Sequence, residues 1–266
     1  MIQNDIAAIE GGRDGLEIVR FGEGRRPGSV EDSGGLGKVE ERRRGKYPYA
    51  RAMPMSAHPT PPPKTDIAEM EVFAGLGMEQ IFVVANVNQA RLALDELMRA
   101  GAVGFDTESK PTFKKGEKSE GPHVLQFATL DKVFIFQSCF GDTHPVIVDL
   151  LRSTELAKIG FGLSGDLRQI ANRFGLRPAA IVDLDRSFKK LGYRNAVGAK
   201  SAIAMLFNRR LTKSKSVTTS NWAARELSER QLLYAANDAY AAIQVHYALQ
   251  ESRPPSNLTG DFPKEI

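Results

Sequence analysis

Cysteine is almost absent from this chain, and the one thiol, Cys139, excludes an internal disulfide and any thiolate cage for a metal. Within the apolar run from Lys132 to Cys139 it reads as a small core residue. The four histidines, His58, His123, His144 and His246, have neither helical nor hairpin ligand spacing, which argues against zinc. No apolar run reaches the length of a membrane span, and the start Met1-Ile2-Gln3-Asn4-Asp5 lacks the basic and then apolar regions of a secretory signal. The expectation is a cytoplasmic protein with no membrane partner. A strong charge of one sign is missing too: net charge is +4 and the pI about 9.1. Such a mildly basic chain is compatible with nucleic acid without arguing for it.

Sustained apolar periodicity is missing from residues 1–65, which are rich in Gly, Arg, Glu and Pro. A segment of that kind buries too little surface to offset its ordering entropy, so a disordered leader is expected. Its cluster Arg42-Arg43-Arg44 could touch nucleic acid, although a solvated charge run is the favoured reading. A translation start at Met53 or Met55 is a further explanation of this stretch, which an intact mass including Met1 would reject. Residues 66–252 carry the pattern of a compact domain, and 253–266 form a short tail.

Within the domain, Ile81 to Val84 reads as a strand and Val87 to Ala100 as a helix, with Ala90, Leu94, Leu97 and Met98 on one face. Ala102 to Glu108 is the strand around which the rest is organised. Side chains alternate across a strand, so Asp106 and Glu108 share one face while Val103 and Phe105 bury on the other. Two adjacent acids repel; solvent, a basic partner or a divalent cation relieves them, and only the cation makes a binding site. From the strand alone, a solvated end and a cation site stand about level.

The loop Ser109 to Pro122 places Lys110, Lys114, Lys115 and Lys118 around Phe113, which suits a phosphate-tracking flap and, more simply, a solvated hairpin tip. His123 to Leu130 and Lys132 to Cys139 complete an antiparallel meander with the organising strand. A helix follows within Pro145 to Leu156, then a strand at Lys158 to Gly162. Ser164 is the expected N-cap of a helix from Gly165 to Phe174, with Asp166 in its first turn, a common place for a purely structural carboxylate. Ile181 to Leu184 reads as a strand, Gly198 to Phe207 as a helix opening with Lys200, and Ser228 to Gln250 as a long helix. On that last helix Tyr234 and Asp238 lie four apart and share a face.

The order of these motifs is more specific than any one of them: Asp106-Thr107-Glu108 on a strand, Asp166 after Ile159-Gly160-Phe161-Gly162, then Ser220-Asn221-Trp222 and Tyr234-Ala235-Ala236-Asn237-Asp238. The chain, over roughly residues 80 to 250, resembles the DEDD superfamily of 3′-5′ exonucleases. It is similar to the tyrosine subgroup, with ribonuclease D and the Werner syndrome exonuclease domain. The histidine subgroup would carry its histidine where this chain has Leu233.

The resemblance implies an α/β fold, a ribonuclease H-like mixed sheet flanked by helices. It implies two divalent cations, Mg²⁺ or Mn²⁺, which suit the hard oxygens of Asp106, Glu108, Asp166 and Asp238. Asp106 would bridge both, Glu108 and Asp238 would complete the site of the attacking water, Asp166 would hold the second metal and Tyr234 would orient the water. The partner is single-stranded DNA or RNA with a free 3′ end, released as nucleoside 5′-monophosphates. Thr107 is a candidate for the terminal nucleotide, and Lys200, Arg209, Arg210, Lys213 and Lys215 for the backbone, each weighed evenly against a solvated role. Trp222 reads as a core anchor before a stacking platform. Roughly sixteen residues follow the last helix, short of the helical nucleic-acid-binding domain of ribonuclease D, so a self-standing exonuclease domain is expected. The rival is a non-catalytic nucleic-acid-binding or scaffolding protein that keeps the fold. Degenerate relatives of that kind lose acids, and this chain has all four.

Overall fold

The computed structural model describes residues 59–112 and 119–252. The expectations for the leader up to residue 58, for the loop tip with Phe113, Lys114, Lys115 and Lys118, and for the tail from 253 lie outside the described residues.

The chain enters through a short helix, α1 (Lys64–Glu69), and reaches strand β1 (Ile81–Val84) and helix α2 (Val87–Ala100). Asn86 caps α2 by accepting from the Gln89 amide, and Gly101 ends it in the left-handed conformation at φ 68°. The meander follows as β2 (Ala102–Glu108), β3 (Val124–Ala128) and β4 (Val133–Gln137). After it come α3 (His144–Arg152), β5 (Ala157–Gly160), α4 (Ser164–Phe174), β6 (Ile181–Asp183) and α5 (Leu184–Lys190). Three helices close the domain: α6 (Ala199–Phe207), the single turn α7 (Lys215–Thr218) and the long α8 (Glu229–Glu251).

The six strands form one mixed sheet in the order β1-β4-β3-β2-β5-β6. β2 lies inside it, antiparallel to β3 and parallel to β5. One face packs Val103, Phe105, Phe127 and Phe136 against Ala90 and Leu97 of α2 and Ile147 and Leu151 of α3. The other packs Val124, Ile135 and Ile159 against Ala235, Ala239 and Ile243 of α8, with α6 behind. The mixed sheet flanked by helices is the fold the resemblance implied. Among the described residues no helix is long and apolar enough to cross a membrane.

Two local expectations change, and one lysine is placed unusually. Cys139 is exposed, because β4 ends at Gln137 and it is Ser138 that turns inward, donating to the Pro122 carbonyl at 2.6 Å. Ser164 is the first residue of α4 and not its cap; Leu163 holds that position with its backbone, its carbonyl accepting from the Leu167 amide at 2.9 Å. Lys158, the first residue of the strand the sequence places at 158–162, is fully buried on β5. Its ammonium donates to the carbonyls of Leu150 (3.1 Å) and Ser153 (2.7 Å), closing the end of α3.

α8 lies unusually close to the sheet at Gly104. A Cβ on that residue would overlap the Ala239 carbonyl oxygen, backbone that has no room to retreat. Gly104→Ala is therefore expected to cost about 3 kcal/mol by overpacking. Urea unfolding of the two proteins measures it, and an unchanged midpoint would show that α8 can lift away freely.

Candidate active site

Three elements bring the acids together. β2 supplies Asp106 and Glu108 on the face that α8 covers, and α8 supplies Asp238 one residue before the Ala239 carbonyl that touches Gly104. Carboxylate oxygens of Asp106, Glu108 and Asp238 lie within 4.8 Å of one another. The first turn of α4 brings Asp166, which accepts a hydrogen bond from the Thr107 hydroxyl at 2.5 Å. Asp166 stands outside the close group of three but near enough for its charge to act on Asp106.

α8 begins cleanly: Ser228 accepts from the Gln231 amide and the Gln231 side chain accepts from the Ser228 amide, a capping box that sets the helix register. That register points Tyr234 and Asp238 into the same space. Thr218 of α7 donates to the Tyr234 hydroxyl at 2.9 Å, and that hydroxyl bonds Asp238 in turn. Trp222, fully buried, donates from its indole to the Thr218 carbonyl at 3.2 Å and packs its ring 6.0 Å from that of Tyr234. It is thus the core anchor the sequence suggested, and what it anchors is the tyrosine.

The charge balance is strained. Burial raises the pKa of Asp106 to about 8, aided by the charges of Asp238 and Asp166. Burial beside Asp106 raises Glu108 to about 9. Asp166 and Asp238 are also raised, chiefly by burial. Against them stands Lys213, whose ammonium lies 2.7 Å from Asp238 Oδ2. Burial opposes that ammonium, but the charges of Asp238 and Asp106 outweigh it and its pKa lies above the ordinary lysine value. Burial likewise raises the Tyr234 phenol, which stays protonated at neutral pH.

Four carboxylates with no cysteine or histidine among them form a donor set for a hard divalent cation, and three of them already converge.

Residues 81–252 match the family described as 3′-5′ exonuclease. The chain belongs to the 3′-5′ exonuclease family. The match supports the DEDD superfamily, whose exonucleases use divalent metals. The chain is 30% identical over 149 residues to the bifunctional 3′-5′ exonuclease/ATP-dependent helicase WRN of Mus musculus, covering 55% of this chain and 11% of that protein. To the ribonuclease D of Gluconacetobacter diazotrophicus it is 30% identical over 162 residues, 59% of this chain and 39% of the relative. Among solved structures, the Aedes aegypti Nibbler EXO domain superposes with a TM-score of 0.57 at 22% identity, over 66% of this chain and 90% of that one. That likeness concerns the fold alone. The chain therefore spans well under half the length of either relative.

Placed in this exonuclease domain, the remaining candidates separate. Lys200 is exposed on the first turn of α6, close enough for its charge to act on Asp238. Lys215 is exposed at the start of α7. Arg209 pairs with Glu71 at 3.0 Å, and Arg210 donates to the Met70 carbonyl at 2.9 Å, so both tie down the segment after α1. Thr107 is buried on Asp166. Sequence reasoning missed the two contacts nearest the chemistry, Lys213 on Asp238 and Thr218 on Tyr234. Both lie in a stretch without periodicity, where spacing carries no signal.

Acids whose folded pKa is raised take up protons on folding, so the stability they leave intact at low pH is lost as pH rises. The window runs from the ordinary carboxylate values, 3.8 and 4.5, to about 8 for Asp106 and about 9 for Glu108. With chelator present, the melting temperature should fall between pH 5 and 9, and less steeply in Asp106→Asn. A flat profile in thermal melts would mean the acids are not strained.

Proposed function

We propose that this chain is a 3′-5′ exonuclease that hydrolyses single-stranded DNA or RNA from its 3′ end and releases nucleoside 5′-monophosphates. The observation that carries the reading is the convergence of Asp106, Glu108 and Asp238 within 4.8 Å in a member of this family. Asp106, Glu108 and Asp238, with Asp166 beside them, would hold two divalent cations, Mg²⁺ or Mn²⁺. When bound, such a pair supplies a nucleophilic water at neutral pH and offsets the charge building on the phosphate.

The chain's own residues do the rest. Asp106 shares the 4.8 Å group with Glu108 and Asp238, and the charge of Asp166 also acts on it. The Thr107 hydroxyl fixes the carboxylate of Asp166 and so is a positioning residue in this reading. Tyr234 keeps its proton, so its part is to orient a water by hydrogen bonding and not to act as a strong base. Thr218 and Trp222 hold the phenol in place. A 3′ end must be threaded past these groups, which favours an unpaired strand, and the exposed Lys200 and Lys215 offer charge for its backbone. Telling RNA from DNA needs contacts to the 2′-hydroxyl; the Thr107 hydroxyl donates to Asp166, which leaves its lone pairs to accept from such a group.

The test is a gel assay with 3′- and 5′-labelled single strands of DNA and of RNA, with Mg²⁺, Mn²⁺ or chelator. Loss of the 3′ label as a mononucleotide, with a ladder shortening from that end only when metal is present, is the expected result. Tight binding without cleavage would support a scaffold that keeps the fold. Asp106→Asn and Asp238→Ala should reduce turnover below detection, and wild-type rates in either would overturn the assignment. Tyr234→Phe should slow the reaction about a hundredfold while metal binding persists, and unchanged rates would remove Tyr234 from the mechanism.

A further inference from the structure

We propose that Lys213 is a built-in competitor for the metal-binding carboxylates, an internal cation that sets how much divalent metal the acid cluster requires before it fills. The inference rests on the reading that Asp106, Glu108 and Asp238 take divalent cations.

The ion pair is not an ordinary surface contact. Lys213 Nζ lies 2.7 Å from Asp238 Oδ2, and the two side chains are 28% and 6% exposed. Asp238 is one of the three acids whose oxygens share the 4.8 Å group. The ammonium also acts by charge on Asp106 and Glu108, and it sits 5.8 Å above the Tyr234 ring. A single positive charge therefore faces the whole cluster from the side of Asp238, and with all three acids ionised, the form that binds a cation, it reduces their formal charge from −3 to −2.

A divalent cation that draws on Asp238 meets that ammonium in one of two ways. If Lys213 stays, two positive charges share a poorly solvated space and repel strongly. If Lys213 leaves, an ion pair with a buried carboxylate is given up. Either way the affinity is lower than the acids alone would give. The departure is sterically open: Lys213 lies in the irregular stretch between α6 and α7, its stem is long and flexible, and over a quarter of its side chain already meets solvent. Among the described residues the exposed Lys200 and Lys215 make no such ion pair with a cluster carboxylate, which distinguishes Lys213 from them.

The test is calorimetric titration of Mn²⁺ into the full chain without nucleic acid, for wild type, Lys213→Met and Lys213→Arg, with circular dichroism to confirm folding. Lys213→Met should bind Mn²⁺ about tenfold more tightly, a gain of about 1.4 kcal/mol, and Lys213→Arg should stay within about threefold of wild type. Equal or weaker binding by Lys213→Met overturns the proposal while leaving the cation reading intact. Absence of Mn²⁺ binding in all three proteins overturns the cation reading and the proposal with it. A second measurement needs only the wild type: amine-reactive labelling read by mass spectrometry during the Mn²⁺ titration. Labelling of Lys213 should rise as the site fills, while Lys132, paired with Glu96 at 2.9 Å, serves as the reference. Constant Lys213 labelling relative to Lys132 up to saturation overturns the proposal even if Lys213→Met does not fold.

Discussion

The contact on which the site depends is backbone to backbone: the carbonyl of Ala239 on α8 against Gly104 of β2. Only a residue without a side chain allows the helix to lie this close to the sheet. Two positions along the strand is Asp106, and one position back along the helix is Asp238. Because both carboxylates are short, their convergence requires the supporting backbones to be close, and Gly104 provides that. The wide apolar layer on the same face, with Ile135, Ile159, Ala235 and Ile243, then holds the helix in place.

Bringing acids together in this way works against stability. Burial is the largest cause that pushes Asp106 and Glu108 far above ordinary carboxylates, and the charges of neighbouring acids add to it. At neutral pH such groups retain protons that a hard cation must expel, so metal affinity and pH are linked in this site. The fold offsets part of the strain with its own donors: Thr107 on Asp166, Tyr234 and Lys213 on Asp238. Tyr234 and Lys213 act from the side of the sheet that α8 covers, whereas Thr107 lies on the same face of β2 as Val103 and Phe105, beyond the part of the strand that those two residues pack.

How much of this was legible in the sequence differs from one link to the next. Strand β2 was plain because Val103 and Phe105 alternate with two acids, and α2 because its apolar spacing is helical from its first residue to its last. The four acids and Tyr234 were legible as an ordered set of motifs, each on a regular element with a known periodicity. On either side of α6, which was legible, the stretches 184–198 and 208–218 were not. They contain α5 and α7, short helices whose apolar residues number too few to show a period, and the second stretch supplies Lys213 and Thr218. A basic residue in a basic stretch carries no mark of the carboxylate it will meet across 25 residues of chain. Lys158 was illegible for the opposite reason, since its strand pattern is clear but a fully buried lysine satisfied by two carbonyls is too rare to expect.

One polar group beside the acids stays outside this balance. Gln126 is fully buried and stands directly opposite Asp106 in the β2–β3 ladder, yet its amide oxygen and nitrogen find no hydrogen-bond partner among the described residues. Its ladder neighbour on β4, Ile135, belongs to the core against α8, so an apolar residue of similar size would fit the pattern of that face. Burying an amide there costs more than burying a leucine. Locally inconsistent residues tend to gather where a fold gives up stability for function. Here Asp106, Glu108 and the unpaired Gln126 fall on one pair of strands, under the helix that carries Asp238. Apart from the buried Lys158 on β5, whose ammonium two carbonyls satisfy, the departures from ordinary packing in the sheet gather where the chemistry is proposed to occur.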